Sequence, residues 1–258
     1  MPCDTQILLC SRLVQLAYAL PDAPDFAIPT ALAGFGLELE CVIQGVDPTR
    51  GPTPMGFIAS GSAGTFCALR GTDNAIEGFE DAEFRQSPCP LVDETAPAIY
   101  TGKPGPQWED GFGQVFNSLT SGDHPLPDLL ATFDTSQVIF TGHSLGAPLA
   151  LFAALSHGAK AVHLFESPRP GNAALAAAVA ACNWFPASTS WVIDEDWVPD
   201  WPKGLWPLVP PYDPCIPHRV LASASVTPAI GAGLLLPIQR EKAMHALTSV
   251  ATLLAALP

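Results

Sequence analysis

The sequence predicts an α/β fold, a mostly parallel central sheet with helices on both faces. Through the second half, short apolar runs rich in branched residues alternate with helical runs: Val138 to Thr141, Gly146 to Leu155, Ala161 to Phe165, Ala173 to Cys182 and Ser190 to Ile193. The strand runs are almost continuously apolar, as strands covered on both faces must be. Residues able to do chemistry fall just past the ends of these runs, on the rim where parallel sheets place their ligands.

The chain has 258 residues, enough to bury a full core, and reads as one domain over 1–258. Hydrophobic residues make up 48% and charged residues 14%, which excludes a disordered chain. Net charge is -14, from 25 acidic and 11 basic residues, and such a surface repels phosphate backbones, so no nucleic-acid partner is expected. Seven cysteines lie without a CxxC pair or a Cys/His metal spacing, and an odd count cannot all pair within one chain. They read as buried small apolar residues with one or two disulfides at most. No apolar run reaches membrane-spanning length, and no basic region precedes the first one, so neither a transmembrane segment nor a signal peptide is read here.

Taken in order, Ile7 to Leu20 has helical apolar spacing, and Pro21, Pro24 and Pro29 stop it. Leu37 to Val42 and Met55 to Ala59 read as strands, split by a turn-rich stretch over 47–54. Gly64 to Leu69 is a third strand and runs into Arg70-Gly71-Thr72-Asp73. That strand end sets a hydroxyl and a backbone N–H at a sheet edge, as an oxyanion donor requires; Thr72 suits equally well as an N-cap for a helix from Asn74. Asn74 to Phe84 mixes apolar and acidic residues, with Ile76 and Phe79 on its underside, a composition shared by mobile lids and ordinary amphipathic helices. Ser87 to Pro106 reads as irregular. Glu109-Asp110-Gly111-Phe112 opens a helix through Leu119, and a short helical piece ends near Phe133.

Between the strand ending at Thr141 and the helix from Gly146 stands Gly142-His143-Ser144-Leu145-Gly146. Strand, G-x-S-x-G, helix is the context of a nucleophile elbow, a strained turn that lifts the serine toward the helix N-terminus. The Ala-rich helix from Ala173 follows the loop Glu166 to Asn172. After the strand Ser190 to Ile193 come Asp194, Glu195 and Asp196, any of which can orient a histidine. Their spacing lacks the glycine and the oxygen-ligand pattern of a calcium loop. Lys203 to Pro217, with Trp206 and Tyr212, either lines a pocket mouth or packs as a Pro-rich loop. Arg219 to Ala222 reads as a last strand, and Gln239 to Leu257 as a helix carrying His245.

Serine attacks an ester when a base removes its proton and a carboxylate fixes the tautomer of that base. Ser144, Asp196 and His245 follow the order nucleophile, acid, base; His218 is the rival base, and His143 is expected to point away from the serine.

In its Leu-Arg-Gly-Thr strand end, Ile-Glu-Gly-Phe segment, Gly111-Phe112, Gly-His-Ser-Leu-Gly-Ala elbow, Ser-Pro-Arg-Pro-Gly-Asn loop, Asp196-Trp197-Val198-Pro199 and late histidine, the chain resembles the fungal-type class 3 lipases. The resemblance implies an α/β-hydrolase fold with a short lid helix over 74–84, secretion, and hydrolysis of acylglycerols or other medium- and long-chain acyl esters at a lipid–water interface, without metal or cofactor. It makes Ser144 the nucleophile, Asp196 the orienting acid and His245 the base. Thr72 and Leu145 supply the oxyanion hole, and Ile76, Phe79, Trp197, Trp201 and Trp206 meet the substrate. Glu166 stands where the family usually has glycine, which brings a charge to the back of the site. Glu77, Glu80, Asp81 and Glu83 make the lid segment too acidic for anionic interfaces. A feruloyl-type or other aromatic or short-chain esterase, with the three tryptophans as stacking walls, is the alternative within the fold. A non-catalytic lipid- or protein-binding relative is the alternative from another class.

Overall fold

The computed structural model describes residues 5–23, 25–47, 50–72, 85–92, 105–202, 211–223 and 245–256. The strands among them are β1 (Leu37–Asp47), β2 (Gly51–Gly61), β3 (Gly64–Leu69), β4 (Gln86–Pro88), β5 (Gln107–Glu109), β6 (Val138–His143), β7 (Ala161–Phe165), β8 (Thr189–Ile193) and β9 (His218–Leu221). The main sheet has seven strands in the order β1-β2-β3-β6-β7-β8-β9, antiparallel from β1 to β3 and parallel from β3 to β9. β4 and β5 pair apart from it.

The helices are α1 (Thr5–Ala19), α2 (Ala27–Ala33), α3 (Asp110–Leu119), α4 (Leu126–Leu130), α5 (Gly146–His157), α6 (Ala173–Ala180) and α7 (Leu247–Ala255). α1, α2 and α7 share one apolar core with one face of the sheet, and α3 to α6 share another with the opposite face. Strand alternation produces this division: along β3, Phe66 and Ala68 point to the first core, Cys67 and Leu69 to the second. β6 is buried at every residue, and α5 is buried over Gly146 to Ala154, which explains their unbroken apolar sequences. The strand that leads into Ser144 is thus enclosed on both faces, as are β7 and β8.

Several expectations change. β2 begins inside the turn-rich stretch, with Pro52 opposite Val46 and Pro54 opposite Gln44. β2 pairs with β3 only from Gly56 onward, so its proline half is an edge, where a missing N–H costs no ladder bond. Ser87 and Pro88 belong to β4 rather than to irregular chain. α7 starts only after Ala246, whose extended ψ of 127° leaves His245 just ahead of it, and positions 239–244 of the expected helix lie outside the described residues. Among the described residues Cys41, Cys67, Cys89, Cys182 and Cys215 form no disulfide, and Cys3 lies outside them. No helix among the described residues is long and apolar enough to cross a membrane. The segment 74–84, read as a lid, lies outside the described residues.

Candidate active site

Three glycines let β6, α5 and the end of β3 converge. A Cβ on Gly142 would stand 2.1 Å from the Gly146 carbonyl oxygen, and one on Gly146 would stand 2.4 Å from that of Leu69. One on Gly71 would stand 2.9 Å from Ser144 Cβ. At this crossing Ser144 takes a left-handed φ of 54°, a conformation that costs a non-glycine residue about 1–3 kcal/mol. The turn is held by Ser144 N donating to Phe165 O at 3.0 Å and by Ala147 N donating to Ser144 O at 2.9 Å.

Ser144 Oγ lies 2.8 Å from His245 Nε2, and His245 Nδ1 lies 2.6 Å from Asp196 Oδ2. All three side chains are buried. With Asp196 ionised, Nδ1 carries the hydrogen it donates, and Nε2 presents a lone pair to the serine hydroxyl. Val198 N donates to the other Asp196 oxygen at 3.0 Å. Burial pushes the Asp196 carboxyl up, but His245 and the hydrogen bonds from His245, Glu166 and Val198 N outweigh it and hold the group below its usual range.

His245, not His218, is therefore the imidazole bonded to both Ser144 and Asp196. His218 sits on β9 opposite Ser190, with Arg169 and Asp200 as its charged neighbours. His143 has a role that sequence reasoning missed. Its Nε2 donates to the backbone oxygen of His245 at 2.8 Å, and its ring lies 4.9 Å from the His245 ring. Its Nδ1 accepts from the Tyr18 hydroxyl at 2.7 Å, and Tyr18 Oη accepts from Gly71 N at 3.0 Å. Burial is the main reason that the His143 imidazole is pushed down to about 3 and stays neutral. α1 thus braces both the base and the loop that precedes Thr72.

Arg70 fixes that loop from the other side. Its guanidinium, fully buried, donates to Asp47 Oδ2 at 3.0 Å, to Gly71 O at 2.8 Å and to Pro54 O at 2.9 Å. Thr72 is buried directly after Gly71. Leu145, also buried, opens α5, where a first-turn N–H has no intrahelical acceptor. Both positions suit donors aimed at an oxyanion beside Ser144.

Trp197 and Trp201 are half-buried and meet edge-on, centroids 5.7 Å apart. Trp197 packs against the α3 to α6 core. Ile76, Phe79 and Trp206 lie outside the described residues. Glu166, fully buried at the end of β7, reaches the site from behind Asp196, with Oε1 accepting from Ile193 N at 2.9 Å. Burial first, and Asp196 second, push its carboxyl well above the ordinary range. Glu166, Asp196 and His245 offer ligand atoms within 4.8 Å of one another, but a metal there would have to displace the bond between Asp196 and His245.

A family model of class 3 lipases matches residues 66–205. The fold is similar to that of the Lip2 lipase from Yarrowia lipolytica, at 19% identity over 85% of this chain and 80% of that one, with a TM-score of 0.62. It is similar to the Rhizomucor miehei lipase in complex with its propeptide, at 19% identity over 87% and 70% of the two chains and a TM-score of 0.60. It is also similar to a triacylglycerol lipase described as having a serine-protease triad as its catalytic centre, at 20% identity over 88% and 84% and a TM-score of 0.58. No curated protein matches the sequence.

Proposed function

This chain belongs to the class 3 lipase family, and on that premise we propose that it hydrolyses acylglycerols and other medium- or long-chain acyl esters through an acyl-enzyme on Ser144. The observation that supports this reading best is the unbroken line from Asp196 through His245 to Ser144 Oγ, with bonds of 2.6 and 2.8 Å. His245 Nε2 takes the hydroxyl proton as Oγ attacks the ester carbonyl, and Asp196 stabilises the imidazolium that forms. The carbonyl oxygen gains charge against the Leu145 N–H and the Thr72 hydroxyl and N–H. The proton then passes to the departing alcohol, leaving an ester on Ser144. Water, deprotonated by His245, repeats the attack and releases the acid.

Initial rates against acyl chain length, from acetate to oleate with a ferulate ester alongside, test the substrate class. Long chains, with a rise in rate above the solubility limit, are the expected result. Smooth saturation with short or aromatic acyl groups would instead make the protein an esterase on this scaffold. Ser144→Ala should reduce turnover to background in a folded protein, and retained activity would remove Ser144 from the mechanism.

A further inference from the structure

Glu166 occupies an unusual place for an acid. It is completely buried, and its backbone takes a left-handed φ of 47°. Its N–H donates to Trp191 O at 2.8 Å, and Oε1 accepts from Ile193 N at 2.9 Å, so both ends of the residue are tied to β8, the strand that leads into Asp196. Oε2 meets no donor among the described residues. An oxygen of this carboxyl lies within 4.8 Å of an Asp196 carboxylate oxygen.

Two carboxyl groups so placed cannot both be ionised in a water-excluded site, and one of them holds a proton. The donors decide which. Asp196 receives N–H bonds from His245 and Val198, whereas Glu166 receives one, from Ile193. We propose that Glu166 is a positioning residue of this site, a neutral carboxylic acid whose O–H donates to the Asp196 carboxylate and completes its coordination opposite His245.

Among the described residues, other titratable groups near the pair have partners of their own. His245 lies across Asp196, and neutral His143 lies behind His245 on β6. In the loop after β8, Asp194 accepts from Ser223 N at 2.8 Å and Glu195 from Ser223 Oγ at 2.9 Å. A bond donated to Asp196 disperses the charge that it offers to the imidazolium. Removing that bond therefore strengthens the hold of Asp196 on the imidazolium.

The test compares Glu166→Gln with Glu166→Gly. Glutamine can accept from Ile193 N through its carbonyl and donate to Asp196 through its amide. Glycine removes the donor and suits the left-handed backbone, and urea unfolding checks that the variant remains folded. Two measurements apply. The infrared difference spectrum of native protein against Glu166→Gln at neutral pH should show a protonated-carboxyl band, a readout that needs no turnover. The acid limb of kcat/KM rests on the ester-hydrolase reading above; in Glu166→Gly it should move up by about half to one pH unit, while Glu166→Gln stays near the native profile. An ionised Glu166 gives no such band, and its removal moves the limb down in both variants, because a second negative charge next to the imidazolium is lost. Either that result, or a limb that stays put in Glu166→Gly, overturns the proposal. Absence of ester hydrolysis in the native protein with the band present would instead refute the functional reading and leave the carboxyl pair standing.

Discussion

Tyr18→Phe removes one oxygen and keeps the ring that meets His143 edge-on at 5.6 Å. That oxygen is the acceptor for Gly71 N at 3.0 Å and the partner of His143 Nδ1 at 2.7 Å, so both buried groups lose a bond. A buried polar group left without its partner costs about 1–3 kcal/mol, and two of them at mid-range give about 3–4 kcal/mol. Urea unfolding of native and variant protein reads this directly, as a lower midpoint at unchanged slope. The kinetic effect has a specific form as well. Gly71 is followed by Thr72, and His143 holds the backbone of His245, so loosening both should lower kcat by roughly tenfold or more on a soluble ester while KM changes little. Loss of less than about 1 kcal/mol with native kcat would show that the hydroxyl braces neither group.

Thr72→Val keeps shape and removes the hydroxyl; if that group faces the oxyanion, kcat should fall by roughly a hundredfold, and a few-fold loss would leave Thr72 as a structural residue. His143, pushed down to about 3 by burial, makes stability depend on pH with a definite sign. Between the ordinary imidazole value and about 3 the unfolded chain binds a proton that the folded chain refuses, so stability falls as the medium is acidified through that window. The slope contributed is at most about 1.4 kcal/mol per pH unit, and urea titrations of His143→Gln against native protein between these limits should show a shallower dependence in the variant.

How much of this was legible depends on whether a residue's task is local. The elbow could be read because strand, tight turn and helix are consecutive, and each constrains its own sequence: buried branched residues, glycines at the crossing, then a run of alanines. Asp196 was one of three neighbouring acids, and His245 one of two late histidines; order alone did not separate His245 from His218. The bonds to Ser144 and Asp196 do. Tyr18, Asp47 and Glu166 act across the sheet on partners remote in sequence: Tyr18 reaches His143 from 125 positions away. No periodicity records such a contact. His143 was expected to point away from its neighbour Ser144, an expectation that does not say what packs beyond the end of the strand. Pro52 and Pro54 were read as turn because proline excludes a central strand, whereas here the strand has a free side.

His245 stands 101 residues beyond Ser144, and its backbone is held by His143, which is buttressed by a helix from the opposite end of the described chain. During synthesis, β6 and its elbow leave the ribosome long before His245 is polymerised. A nascent chain therefore presents a serine without a base, and the hydroxyl alone is a poor nucleophile. On the proposed mechanism, the line from Asp196 to Ser144 is complete only once the last described helix, α7, is packed against α1.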